Sequence, residues 1–179
     1  MTELSARSRK ETVSLSTMID RALTTARIDF HPTSRQPLLS RVVVATVVAI
    51  GGSLLADALL VAIGTLVFPA TKGYVHFHFA DYAKLTIVGV MVAGAAWPIV
   101  TRLTSGPRWL FFRLAIVVTV VLLTPDVWLL VKGQPPHAIA VLVVMHLAIA
   151  LVTYNALVHI AALRPLMALH RSTSHRSMA

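Results

Sequence analysis

The chain has 179 residues, of which 56% are hydrophobic and 13% charged, with a mean hydropathy of +0.77. A soluble domain averages roughly 45–50% apolar and 25% charged, so this composition excludes an ordinary water-soluble fold and indicates a membrane protein. The formal net charge of +9 (16 Lys+Arg against 7 Asp+Glu) does not point to nucleic acid, because the basic residues gather at the ends of apolar runs, where membrane anchors sit. Cysteine is absent, which removes disulfide staples, thiolate metal sites and thiol redox chemistry.

Residues 1–40 are polar and basic. Within them Leu15, Met18, Ile19, Ala22, Leu23, Ala26 and Phe30 recur at three- and four-residue steps. That spacing predicts an amphipathic helix over about 12–30, ended at His31–Pro32 because proline disfavours helix in the residue before it. Its expected place is the cytoplasmic membrane surface, held by the apolar face with Arg21 and Arg27; docking on a partner helix is the alternative. No signal peptide is expected. The first apolar run begins only after this segment and is longer than a signal h-region of about 7–15 residues.

That run, RVVVATVVAIGGSLLADALLVAIGTLVFP from Arg41 to Pro69, predicts a first span over about 42–68. Gly51, Gly52 and Ser53 precede Asp57, and Ala49, Ser53 and Asp57 fall at four-residue steps. One face is therefore small, then acidic, and is expected to meet a neighbouring helix. A carboxylate at such depth costs roughly 2.5–3.5 kcal/mol to insert, so Asp57 is a functional candidate by default. In the following loop Val75, Phe77 and Phe79 alternate with His76 and His78, which predicts an extended or interfacial segment. A second span is predicted over 82–100, with Gly89, Ala93 and Ala96 as a small face and Trp97-Pro98 at its end.

The third span, over about 109–130, carries Arg113 one turn inside its start and meets Thr124-Pro125-Asp126, where a proline kink is expected. Arg102, Arg108 and Arg113 with Trp109, Phe111 and Phe112 read as interface anchors, or alternatively as a lipid-phosphate pocket. Lys132-Gly133-Gln134-Pro135-Pro136 is a tight turn. A fourth span over 137–160 holds His146, Thr153, Tyr154 and His159, and a basic tail covers 162–179. The expected fold is thus an all-α, four-helix transmembrane domain over 41–161, preceded by the amphipathic helix.

Orientation follows from charge. Seven Lys/Arg lie up to Arg41, three at Arg102, Arg108 and Arg113, and three in the tail, whereas the other two loops hold only Lys72, Lys84 and Lys132. The positive-inside rule then puts both termini in the cytoplasm. By a rise of about 1.5 Å per residue, Asp57, Asp126 and His146 fall in the outer half of the membrane. His76, His78 and Asp81 lie just above them.

Three physical readings of this polar group stay open. The carboxylates can hold helices in register through His146 or Tyr and Thr hydroxyls. An Asp/His group can exchange protons. The His76-x-His78 pair with Asp81 can reach one metal ion if extended, although a lone HxH is a weak pattern. No metal or other cofactor is expected, and no Gly-x-Ser-x-Gly, HExxH, Walker A or GxGxxG occurs, so no enzyme activity is expected either.

The segments DYAKLTIVGV, PRWLFFRLAIVVTVVLLTPD and MHLAIALVTYNALVH resemble a group of small actinobacterial four-helix membrane proteins of uncharacterised function. Asp81-Tyr82, Pro107-Arg108, Pro125-Asp126, Gln134-Pro135, Met145-His146 and Thr153-Tyr154 carry the likeness, which covers roughly 51–164. The resemblance implies a plasma-membrane protein of a high-GC Gram-positive bacterium and implies no reaction. The expected function is a non-enzymatic accessory or scaffolding subunit of a cell-envelope membrane complex. Its expected partners are the lipid bilayer and other membrane proteins or a second copy, with no nucleic acid and no identifiable small-molecule substrate. The alternative is a small proton-coupled transporter or permease using Asp57, Asp126 and His146.

Overall fold

The structure, a computed structural model, describes residues 34–165 together with Thr17, Met18, Asp20, Arg21 and Thr24. Those five are helical, and the Thr24 hydroxyl donates to the carbonyls of Asp20 and Arg21. The rest of the expected helix over 12–30 and nearly all of the C-terminal tail lie outside the described residues.

Among the described residues the architecture is helical: α1 Leu39–Val67, α2 Phe79–Leu103, α3 Pro107–Leu122, α4 Thr124–Val131 and α5 Pro136–Ile160. A two-residue antiparallel pair, β1 Ser34–Arg35 with β2 Arg164–Pro165, joins the two chain flanks at one end of the bundle. With α3 and α4 taken as one stretch, four helices are long and apolar enough to cross a membrane. α2 runs three residues beyond its expected span at each end, α1 starts three residues early and ends one short, and the other two differ from expectation by one or two residues.

Local chemistry sets the boundaries. Pro107 and Pro136 open α3 and α5, positions where the missing N–H is not needed. After α4, Gly133 takes a φ of +80°. Its N–H meets the Leu130 carbonyl at 3.0 Å and that of Gln134 meets Leu129 at 3.1 Å. This paired capping of the last carbonyls favours glycine at the left-handed position. The break between α3 and α4 falls at Leu123, two residues before Pro125, as the lost backbone bond requires.

Two expectations fail here. Pro98 does not end the second span, since α2 continues to Leu103. Trp97 is fully buried and its indole N–H donates to the Ala161 carbonyl at 3.0 Å, while the Thr101 hydroxyl donates to the Pro98 carbonyl at 2.8 Å. Packing holds the helix through the proline, as neighbours often do in membrane bundles. The loop is not extended: it folds into two 3-10 turns, Pro69–Thr71 and Val75–Phe77, with Gly73 at φ +82° between them.

Three layers make the core. At the flank end Val42, Ala45, Trp97, Leu110, Phe111 and Leu157 pack together, with the Trp97 and Phe111 rings edge-on at 5.0 Å. Phe111 is therefore core rather than anchor, whereas Trp109 lies under the Arg113 guanidinium at 3.9 Å. Ala49, Val90 and Ala156 form a small-residue layer in the middle. Ile139, Leu142 and Met145 close the far end against Leu60 and Val61.

Close helix approach uses glycines other than most of those expected. A Cβ on Gly52 would come within 3.0 Å of Val152, and one on Gly64 within 2.6 Å of Val141. At Gly94 a Cβ would collide with the Thr46 hydroxyl. Gly51 and Gly89, by contrast, are exposed with nothing within 4 Å of a Cβ, so among the described residues they make no close helix contact. Each sits one or more positions off the buried stripe, which the 3.6-residue period turns outward. Ala93 packs on the flank-end core, and Ser53 is fully buried.

Candidate functional site

The polar residues lie between the middle and far-end layers. The α1 and α5 close approaches, Gly52 with Val152 and Gly64 with Val141, fix one antiparallel register. Ser53 then lies level with Leu151–Val152, and Asp57 with Leu147–Ala148, the residues that follow His146. Asp57 and His146 each sit about 15 Å from the far end of their helix at 1.5 Å per residue.

Asp57 is 0% exposed. Its Oδ2 accepts a 2.8 Å hydrogen bond from the Thr86 hydroxyl of α2, and its Oδ1 has no partner. Thr86 was not singled out by the sequence. It lies on the stripe Ala83, Thr86, Val90, Gly94, Trp97 that α2 buries, so a polar residue in register with a small apolar face was the available signal.

Asp126 belongs to the first turn of α4 and is 4% exposed. The break at Leu123 gives α4 its own N-terminus, whose positive dipole end favours a carboxylate. Asp126 Oδ2 lies 3.1 Å from His146 Nδ1, and the same nitrogen lies 2.9 Å from the Leu142 carbonyl. One ring nitrogen holds one proton. With the proton on Nδ1, the N–H serves the Leu142 carbonyl, and Asp126 Oδ2 lacks a hydrogen bond of its own. With the proton on Asp126, the carboxyl donates to Nδ1 and the Leu142 carbonyl is released. The geometry thus offers two proton placements within a single 3.1 Å contact.

His146 lies within electrostatic range of both Asp57 and Asp126. The three residues singled out from sequence therefore form one cluster across α1, α4 and α5. His76 extends it outward: it is exposed, within electrostatic range of Asp126, and edge-on to Tyr74 at 5.3 Å between ring centres. The Tyr74 hydroxyl is buried without a partner. Burial, and then the Asp126 charge, push its phenol above the usual range, so it stays a neutral O–H donor at physiological pH. Sequence reasoning missed Tyr74; its place beside the His76 loop was the only signal.

His78 and Asp81 are exposed and do not join the cluster. His76 sits inside a 3-10 turn and His78 immediately precedes α2, so the two imidazoles do not alternate along an extended strand as metal binding by that pair requires. Among the described residues no group of three His, Asp or Glu side chains is placed to hold a metal ion. Ser53 and Thr153 are buried, and neither hydroxyl has a hydrogen-bond partner. Comparison with protein-family models, curated proteins and solved structures finds no match.

Proposed function

We propose that the chain is a non-enzymatic, four-span protein of the plasma membrane with both termini in the cytoplasm, serving as an accessory or scaffolding subunit of a cell-envelope membrane complex. The observation that carries this reading is the third span. Pro107–Val131 is the most apolar of the four, yet only 11% of its apolar stretch is buried within the chain, against 39% for Pro136–Ile160. Its outward side chains, among them Phe112, Ile116, Val120 and Val127, present a continuous lateral surface. Lipid tails are as apolar as such a surface, so a second membrane protein can bind it by shape and packing. Four helices long and apolar enough to cross a membrane support a membrane as its place. Purification in mild detergent with mass spectrometry of the co-purifying proteins tests the proposal. A stoichiometric hetero-complex supports it, and a lone monomer or homo-oligomer overturns it.

A second reading, a small proton-coupled transporter, is favoured by the two proton placements shared by Asp126 and His146. It requires that Asp126→Asn abolish proton-coupled flux in liposomes while the protein remains folded. Undiminished flux in that variant removes it.

A further inference from the structure

Arg113 is a charge set inside an apolar span. It is an exposed residue of α3, about 9 Å along the axis from Pro107 at 1.5 Å per residue. Its guanidinium does not stay at that depth. It lies over the Trp109 ring, 3.9 Å from the centroid, one turn back toward the flank end. The long side chain thereby carries its charge toward the polar boundary while its stem stays in hydrocarbon. Stacking on the indole uses a face of the guanidinium and leaves its N–H donors in the plane, a fork that matches two oxygens of a phosphate.

Nothing negative within the bundle answers this fork. Among the described residues from 34 to 165 the acidic side chains are Asp57, Asp81 and Asp126, all in the half away from the flank end. Arg41, Arg102 and Arg108 are exposed at the flank end as well, so this end carries an unbalanced positive potential. Beyond Trp109 and Arg113 the same face of α3 continues with Ile116, Val117 and Val120, which are 48%, 58% and 61% exposed. The five positions recur at three- and four-residue steps and so share one face. From the flank end inward that face is aromatic and cationic, then apolar.

We infer that Arg113, seated on Trp109, binds the phosphate of an anionic phospholipid whose acyl chains lie along Ile116, Val117 and Val120. The occupant must be amphipathic in the same order as the face, with its anion at the Trp109 level and its hydrocarbon beyond. A net negative headgroup suits an end with no acidic residue, whereas the choline of a zwitterionic lipid meets the field of Arg41, Arg102 and Arg108. Hydration of a snorkelling cation would need only a long side chain and a charge, which lysine also supplies. The seat on an indole uses the flat guanidinium that lysine lacks. Phe112 and Val127 of the same span remain for a partner, and the inference rests on neither reading of function given above.

Native mass spectrometry of the full-length protein in mild detergent, titrated with phosphatidylglycerol or with phosphatidylcholine of identical acyl chains, tests the inference. Phosphatidylglycerol is expected to bind about tenfold more tightly, the scale of one charge-assisted contact. Arg113→Gln and Trp109→Leu are each expected to remove that preference, with circular dichroism unchanged. Arg113→Lys keeps the charge and loses the fork, and is expected to remove most of it. Arg41→Gln takes one charge from the same end on α1 and is expected to stay within about twofold of wild type, as an exposed charge acting at a distance does. Should Trp109→Leu not fold, the arginine variants decide. Equal affinity of the wild type for the two lipids overturns the inference, and so does a wild-type preference in Arg113→Gln, Arg113→Lys or a folded Trp109→Leu. A loss in Arg41→Gln as large as that in Arg113→Gln, as a diffuse basic surface would give, overturns it too.

Discussion

Gly94 and Gly89 share a helix and have opposite surroundings. Gly94 is buried against the Thr46 hydroxyl, while Gly89 faces outward with nothing near it. Gly94→Ala is therefore expected to destabilise the bundle by about 1–3 kcal/mol through overpacking. Gly89→Ala is expected to be neutral or to stabilise by up to about 1 kcal/mol through helix propensity. Reversible unfolding in mixed detergent micelles measures both, and equal effects would count against the α1–α2 packing. Trp97→Phe keeps the ring contact with Phe111 but leaves the Ala161 carbonyl without its indole donor. A loss of about 0.5–1.5 kcal/mol is expected, with helix content unchanged. Asp57, Asp126 and His146 were legible at this scale because a charged residue deep in an apolar run is costly and rare. Thr86, Thr153 and Tyr74 were not, because a hydroxyl in a membrane helix is common and only its neighbours show whether it is satisfied.

The third span is the element that decides the site. Its break at Leu123 creates a helix N-terminus at α4 and turns Asp126 toward His146 on α5. Pro125→Ala restores a backbone donor and removes the ring's clash with the preceding turn, so α3 and α4 are expected to merge into one straight helix. Asp126 then leaves its 3.1 Å position against Nδ1. Ring nitrogen chemical shifts of His146 measure this directly. They should change in Pro125→Ala and in Asp126→Asn alike, and unaltered shifts in Pro125→Ala would show that the break does not position the pair. The kink was expected from the proline alone. What α4 faces was not, because a proline fixes where a helix bends but not which neighbour the bent segment meets. The reverse holds for Pro98, where the neighbours overrule the proline: Trp97 is locked to the Ala161 carbonyl and α2 passes through.

For the whole molecule, the β1–β2 pair places both flanks of the bundle at the same end, with the His76 turn at the other. Under the proposed orientation, which the thirteen basic residues on the flank side favour by the positive-inside rule, His76 is expected outside. A cysteine introduced at the exposed position His76 is expected to react with an impermeant maleimide in intact cells. Reaction only after permeabilisation would invert the topology and place the Asp/His cluster next to the cytoplasm.

By itself the sequence determined that four helices form, roughly where they begin and end, and which three ionisable residues lie deep among them. These are consequences of length, hydropathy and local turn chemistry, which act along the chain. The tertiary structure decided which face each helix turns inward. It kept Gly52 and added Gly64 and Gly94 for the close approaches in place of Gly51 and Gly89, buried Trp97 and Phe111 in the core, and set the Thr86 hydroxyl against Asp57. In an all-apolar helix the outward and inward faces carry nearly the same residues. Facing is then set by steric fit between helices, a property of pairs that no single segment encodes.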